Sequence, residues 1–373
     1  MSRIRRVRVA AVKAETADAR SVTFDVEPGD ARWFRARPGQ FLTVRVPVGD
    51  GDRRVARCYS LSNGPDDDPT ITVKRAGPGS AWICDELRPG DELELLPPAG
   101  RFTPRSPDTD LLLVAAGSGI TPVMSILRWV LGTGYGHVAL LYANRDAEAV
   151  IFERQLRLLD VRHPGRLSVT HWLESERGLP TAEALAPLLG PYAERETYLC
   201  GPEPFMAAVE AAQASLGGQR NGQLGRLHVE RYESLTEDPF VAAARADAED
   251  ERHAAERATT PDEPAEVKEE PADDVPPEST AGATVVEVEF DGDKHRLPWT
   301  PGRPLLEVLE AAGIAAPFSC REGNCGACAC LVLEGRMTMR RNETLTPEDL
   351  ADGYVLACQA DPDAPLVRVS YDE

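Results

Sequence analysis

The stretch Cys320-Arg-Glu-Gly-Asn-Cys325-Gly-Ala-Cys328 separates three cysteines by four and then two residues, and Cys358 follows about thirty residues on. That spacing is the ligand pattern of a [2Fe–2S] cluster. A structural zinc site would show two close pairs of ligands, whereas this run has one pair and two singles. Gly323 and Gly326 let backbone amides come close to the cluster sulfurs. A disulfide framework suits small secreted chains, and this one has 373 residues and no visible export signal. Cys320, Cys325, Cys328 and Cys358 are therefore the expected metal ligands. Cys330, two residues further along an apolar run, reads as core packing. An electron carrier needs a source of electrons, and the remainder of the chain has to supply it.

The chain has room for two or three domains. Its net charge of −20 argues against nonspecific nucleic-acid binding. The acidity is uneven: residues 245–280 hold thirteen Asp or Glu against four Lys or Arg, which is −9 of the total. The basic opening Met1-Ser-Arg-Ile-Arg-Arg is followed by no apolar run, and no segment approaches a membrane span. A reducing, cytoplasmic setting and a monomeric protein are the expectation.

Residues 7–96 read as six short strands, near 7–12, 21–26, 41–48, 58–62, 70–75 and 92–96, with Pro-Gly and Asn-Gly turns between them. Six such strands predict a small antiparallel barrel. On it lie Arg57-Cys-Tyr59-Ser60 and Thr72-Val73-Lys74-Arg75, followed by Gly77-Pro-Gly79-Ser80. Gly77 and Gly79 permit a tight turn, and Ser80 is placed to cap a helix running to Leu87. Such a helix start offers amides to a phosphate, with Arg57 as an anion grip and Tyr59 as a flat face for a ring. A solvated Arg and a barrel-capping Tyr would be the plainer account of the same residues.

From 110 onward strands and helices alternate. Leu111 to Ala116 is a continuous apolar run, as in a buried parallel strand, and Gly117-Ser-Gly119-Ile-Thr121-Pro122 opens the helix after it. Further strands are expected near 137–143, 167–170, 197–200 and 227–229, with helices near 149–160, 181–188 and 204–216. This pattern predicts a doubly wound sheet with ligand at the carboxyl ends of its strands. Two of those ends carry Asn144-Arg145-Asp146 and Cys200-Gly201-Pro202, which also suit ordinary turns before helices. His228-Val-Glu230-Arg-Tyr232 closes the segment. Residues 239–282 then turn to Ala, Glu, Asp and Pro and read as a tether. Strand patterning resumes near 284–290, with a helix at 304–312 and strands near 329–334, 354 and 366–369.

Arg57-x-Tyr59-Ser60 with Gly77-x-x-Ser80 resembles the flavin site of the ferredoxin–NADP reductase family. The resemblance implies that Arg57, Gly77, Gly79 and Ser80 hold an FAD pyrophosphate and that Tyr59 packs on the isoalloxazine. It also implies that Ser60 lies near the reactive nitrogen and that Val73 and Lys74 border the ring. In that family the motifs matching Gly117-x-Gly119-x-Thr121-Pro122 and Cys200-Gly201-Pro202 bind NAD(P)H, with the cysteine beside the nicotinamide. Asn144 and Arg145 belong to the same site, where Arg145 meets either a 2′-phosphate or only the ribose, so NADH and NADPH both stay open. Glu230 and an aromatic approach the flavin. The last ninety residues resemble the β-grasp fold of [2Fe–2S] ferredoxins.

The implied architecture is multidomain α+β: a FAD-binding antiparallel β-barrel at 1–106, a Rossmann-like NAD(P)H-binding α/β domain at 107–238, an acidic linker at 239–282 and a ferredoxin domain at 283–373. Tyr142-Ala-Asn-Arg145-Asp, Val150-Ile-Phe152 and Leu356-Ala-Cys358-Gln are similar to reductase components of 3-ketosteroid 9α-hydroxylases. Reductases of phenylacetyl-CoA epoxidases and phenol hydroxylase-type systems share the domain order. The implied function is passage of electrons from NAD(P)H through FAD, with Ser60, Cys200 and Glu230 at the reacting centre, to the cluster and on to a partner oxygenase. A stand-alone NAD(P)H oxidase or diaphorase, or a terminal module whose cluster is structural, are the alternatives.

Overall fold

The computed structural model describes residues 3–31, 33–49, 53–219, 224–232, 235, 238–245, 247–248, 252, 284–314 and 316–372. The chain forms two compact units, Ile4–Thr236 and Glu237–Glu373, the latter including Met1–Arg3. Residues 239–245 are helical. Of the tether expected at 239–282, residues 246, 249–251 and 253–282 lie outside the described residues.

The first unit opens with the six expected strands: β1 (Arg5–Thr16), β2 (Ala19–Phe24), β3 (Phe41–Pro47), β4 (Arg54–Ser60), β5 (Thr70–Lys74) and β6 (Glu92–Ala99). They form an antiparallel sheet in the order β4-β3-β6-β1-β2-β5, and a single bridge from Leu61, just past β4, to Ile71 of β5 links its two edges. Period-2 alternation decides what goes inside: Val22, Phe24, Val44, Val46, Ile71 and Val73 fill the barrel. The intervening Ser21 and Thr72 point the other way and are nonetheless buried. They form part of a hydroxyl ladder, with Ser21 Oγ 2.8 Å from Thr72 Oγ1 and Thr72 Oγ1 2.9 Å from Ser62 Oγ.

The second sheet is parallel throughout: β7 (Leu111–Ala116), β8 (Val138–Asn144), β9 (Leu167–Leu173), β10 (Glu196–Cys200) and β11 (Leu227–Glu230), in the order β11-β10-β7-β8-β9. Every residue of β7 is buried because both faces are covered. Leu111, Leu113 and Ala115 meet α2 (Ile120–Thr133), whereas Leu112, Val114 and Ala116 meet α5 (Ala182–Leu189) and α6 (Glu203–Gln219). Strand order runs outward in opposite directions from β7 and β10, which makes their carboxyl ends the switch point where such sheets bind ligand. The helix expected over 149–160 differs: α3 (Glu153–Arg162) starts only after Phe152, whose φ of 63° is left-handed and breaks the run. Val150, Ile151 and Phe152 are buried in the α2-side core, and that anchoring sustains the break. A short α4 (Glu174–Arg177) follows β9.

Barrel and parallel sheet meet along a polar seam. Gln155 of α3 donates to Glu15 of β1 at 3.2 Å and Arg128 of α2 pairs with Asp67 at 3.2 Å, while within the barrel Ser21 Oγ donates to the same Glu15 at 2.9 Å.

The second unit builds a mixed sheet from β12 (Thr284–Phe290), β13 (Asp293–Trp299), β14 (Ala329–Glu334), β16 (Tyr354–Leu356) and β18 (Leu366–Ser370), ordered β13-β12-β18-β14-β16. β12 and β18 pair in parallel at its centre. β15 (Met337–Met339) and β17 (Ala360–Pro362) form a separate ribbon. The helix α7 (Leu305–Ala311) buries Leu305, Leu306, Val308 and Leu309, and α8 (Pro347–Ala351) starts on a Thr346 cap. Cys330 is 1% exposed on β14, as core packing requires.

Candidate redox centres

On the barrel, β4 delivers Arg57, Tyr59 and Ser60, β5 ends on Val73 and Lys74, and α1 (Pro78–Asp85) begins at the glycine turn. A Cβ placed on Gly79 would lie 3.6 Å from Arg57 Cγ and 3.9 Å from the Tyr59 hydroxyl, so the helix start faces both side chains. Arg57 Nη1 donates to the Ala56 carbonyl at 2.7 Å, and the rest of the guanidinium fork can face an anion.

Ser80 is not the cap expected of it. Gly77 holds that position in extended geometry, and Pro78, with preset φ and no N–H to satisfy, takes the first turn. Ser80 is therefore the third helical residue. Its Oγ reaches back to accept from the N–H groups of Ala76 and Gly77, both at 2.9 Å. The first-turn amides of Gly79 and Ser80 are the ones helix geometry leaves for a phosphate.

The two motifs expected to bind NAD(P)H adjoin at the carboxyl ends of β7 and β10. Cys200 stands opposite Ala115 in the parallel register, and a Cβ on Gly119 would lie 2.1 Å from the Cys200 carbonyl oxygen. Only glycine permits that approach, although Gly119 has an ordinary φ of −60°. Gly117, by contrast, is left-handed at φ +53°, and the Tyr142 hydroxyl donates to its carbonyl at 3.0 Å. A Cβ on Gly201 would lie 3.0 Å from Ala116 Cβ, and the Pro202 carbonyl accepts from Phe205 and Met206 to start α6. Asn144 is 7% exposed beside the Tyr142 hydroxyl, and its Oδ1 and Nδ2 complete no hydrogen bond among the described residues. Unmet polar atoms of that kind suit a polar ligand. Arg145 is exposed and paired with Asp146 at 3.0 Å.

Tyr232 joins the two halves. Its hydroxyl lies 2.8 Å from Thr121 Oγ1 and 3.4 Å from Ser60 Oγ, and donates to the Ser118 carbonyl at 3.3 Å. The residue as a whole is 47% exposed. Ser60 and Thr121, 61 positions apart in the chain, thus meet at one hydroxyl. Lys74 Nζ sits 3.8 Å from the point where a Gly117 Cβ would stand, and 3.8 Å from Asp18. Cys200 is fully buried, which raises its thiol pKa, and neighbouring Glu230 adds to the rise. Glu230 faces Cys200 across β10 and β11, and desolvation pushes its carboxyl up to about 8. The aromatic was visible in the sequence as Tyr232, but its hydroxyl contacts were not.

In the second unit the four cysteines form two pairs. Cys320 N–H donates to Cys325 Sγ at 3.3 Å, and Cys358 N–H donates to Cys328 Sγ at 3.5 Å. Among the described residues no three His, Cys, Asp or Glu side chains gather around a single-ion site. Two thiol pairs suit two irons, one pair each, better than one tetrahedral ion. The loop is wound to aim amides inward: the N–H groups of Glu322, Asn324 and Cys325 lie 3.3–3.4 Å from Cys320 Sγ. That winding needs left-handed backbone at Arg321, Gly323 and Gly326. Arg321 tolerates it while ion-paired to Glu310 of α7 and stacked 4.3 Å over the Phe318 ring.

Residues 288–363 match the model of the 2Fe-2S iron-sulfur cluster binding domain, and residues 113–211 match that of the oxidoreductase NAD-binding domain. The chain is 46% identical over 367 residues to the ferredoxin reductase component of a 3-ketosteroid-9-alpha-monooxygenase of Rhodococcus rhodochrous, covering 97% of this chain and 95% of that one. It is 31% identical to a glycine betaine monooxygenase reductase subunit of Chromohalobacter salexigens, covering 95% and 92% respectively. Among solved structures, phthalate dioxygenase reductase shares the fold at a TM-score of 0.52 with 20% identity, over 98% of both chains.

Proposed function

The chain belongs to the family of ferredoxin reductase components of multicomponent oxygenases, and on that premise we propose that it draws hydride from NAD(P)H at the carboxyl ends of β7 and β10 and delivers single electrons through its cluster to an oxygenase protein. It is an oxidoreductase of the NAD(P)H, FAD and [2Fe–2S] type. FAD, when bound, supplies the conversion between two-electron hydride and one-electron chemistry.

The residues have separable tasks in this reading. Arg57 and the amides of Gly79 and Ser80 bind the pyrophosphate of the flavin nucleotide, and Tyr59 offers its ring as a face. Val73 and Lys74 border that ring. Gly117, Gly119, Thr121, Pro122, Gly201 and Pro202 shape a floor for NAD(P)H, Asn144 offers its unmet amide, and Arg145 lies at the ribose end. Ser60 and Thr121 present hydroxyls at the junction of the two cofactor sites, and Glu230, neutral below about pH 8, holds a proton beside Cys200. Cys320, Cys325, Cys328 and Cys358 hold the irons. The acidic linker at 239–282 separates the reductase portion from the carrier, and the protein acts as a monomer in the cytoplasm. Among the described residues no helix is long and apolar enough to cross a membrane.

The observation that carries this reading is the convergence of Ser60 and Thr121 on the Tyr232 hydroxyl. One side chain from each cofactor motif thereby reaches a common point. The similarity to the Rhodococcus protein favours a Rieske-type steroid 9α-hydroxylase as acceptor over an epoxidase. The test is to purify the protein, verify FAD and iron by absorbance, and follow reduction of a candidate oxygenase with NADH and with NADPH. Rapid reduction of that oxygenase supports the proposal. Physiological turnover with dioxygen alone would favour an oxidase, and failure to bind flavin would sink the reading.

A further inference from the structure

Most ligand sulfurs of the second unit are met by backbone amides, but Cys358 Sγ is also met by a side chain. Gln359 Nε2 lies 3.5 Å from it and donates to the Arg321 carbonyl at 2.8 Å. The same residue is anchored at both backbone ends: its N–H donates to the Leu356 carbonyl at 2.8 Å, and its carbonyl accepts from Arg340 N–H at 2.9 Å. Its aliphatic stem crosses the Gly323 turn, where a Cβ would come within 3.2 Å of Gln359 Cγ. The amide is thus held between the two ligand-bearing segments, with little freedom to turn its donor elsewhere.

We propose that the Gln359 side-chain amide sets the potential of the cluster by hydrogen bonding to Cys358 Sγ. The proposal rests on the assignment of the four cysteines as cluster ligands. One-electron reduction adds negative charge that spreads onto the sulfurs, and a donor aimed at a sulfur stabilises the reduced form more than the oxidised one. Gln359 therefore raises the potential and favours transfer from flavin to cluster. Unlike a backbone amide, this donor can be removed by substitution. Gln359 acts through Cys358 and is a positioning residue.

The test uses the full-length protein loaded with FAD and iron. Gln359→Leu keeps the bulk and deletes the donor, whereas Gln359→Glu keeps the shape and, as carboxylate, adds a charge. Dye-mediated reductive titration followed by electron paramagnetic resonance of the reduced cluster reads the equilibrium directly. At fixed potential the oxidised-to-reduced ratio is expected to rise roughly three- to tenfold in Gln359→Leu, tenfold being about 59 mV for one electron, and further in Gln359→Glu. The flavin potential, read in the same titration, stays as in the parent. A parental cluster potential in either loaded variant would overturn the proposal. Loss of the cluster from both variants would overturn it as well, because Gln359 would then be a brace alone. If the parent itself gives no [2Fe–2S] signal, the ligand assignment fails first, and that result is distinct from the other two.

Discussion

At the scale of single residues, Arg145 bears on the choice between NADH and NADPH. Its guanidinium is paired with Asp146, and the carboxylates of Asp18 and Glu174 lie within its field. A 2′-phosphate entering here would meet acids whose attraction for Arg145 is already satisfied, so NADH is the expected donor. Asp146→Asn keeps the hydrogen bond to Ala149 N–H, since Asn caps as well as Asp, and deletes the charge. The variant should lower the KM for NADPH by roughly three- to tenfold with little change for NADH, as steady-state kinetics with both nucleotides would show. Glu230 gives a second residue-level expectation. Its carboxyl is raised from 4.5 to about 8 by desolvation, so the folded state favours the protonated form. The resulting stability is fully present below pH 4.5 and is lost as the pH rises through 8. Glu230→Gln should therefore gain on the parent between pH 5 and pH 9 in urea unfolding, and a constant difference across that range would refute the assignment.

At the scale of elements, the turn after β7 packs tightly against the carboxyl end of β10. Gly119→Ala puts a methyl 2.1 Å from the Cys200 carbonyl and must push the two strand ends apart. The expected cost is about 1–3 kcal/mol of stability, seen as a lower melting temperature, together with a raised KM for the nucleotide. The six barrel strands and the alternation of β7 to β11 with helices were legible because period-2 alternation and continuous apolar runs report burial directly. Three of the four expected cluster cysteines stand close together in the sequence, and the fold brings Cys358 beside Cys328. The break at Phe152 was not legible, since the burial that sustains a left-handed residue is tertiary. Nor was the displacement of Ser80 to the third helical position, where Pro78 outcompeted it for the start. The ladder from Glu15 through Ser21 and Thr72 to Ser62 joins residues 47 positions apart, and no local pattern announces it.

At the scale of the molecule, the division into two units matches a division of electron chemistry. Cys325→Ser replaces one of the proposed cluster ligands and leaves Ile4–Thr236 untouched. Reduction of ferricyanide, which takes electrons from flavin, should persist near the parental rate, whereas reduction of the partner oxygenase should fall by at least about a hundredfold. Equal loss of both activities would show that the second unit is needed for flavin chemistry itself. Tyr232 carries a consequence of another kind. It follows β11, the edge strand of the parallel sheet, and its hydroxyl is shared by Ser60 and Thr121. A gene fusion that replaced the carrier would therefore have to be joined downstream of this tyrosine. A junction placed even a few codons earlier would remove the hydroxyl that Ser60 and Thr121 share, while later junctions leave exchangeable carriers open to the protein engineer.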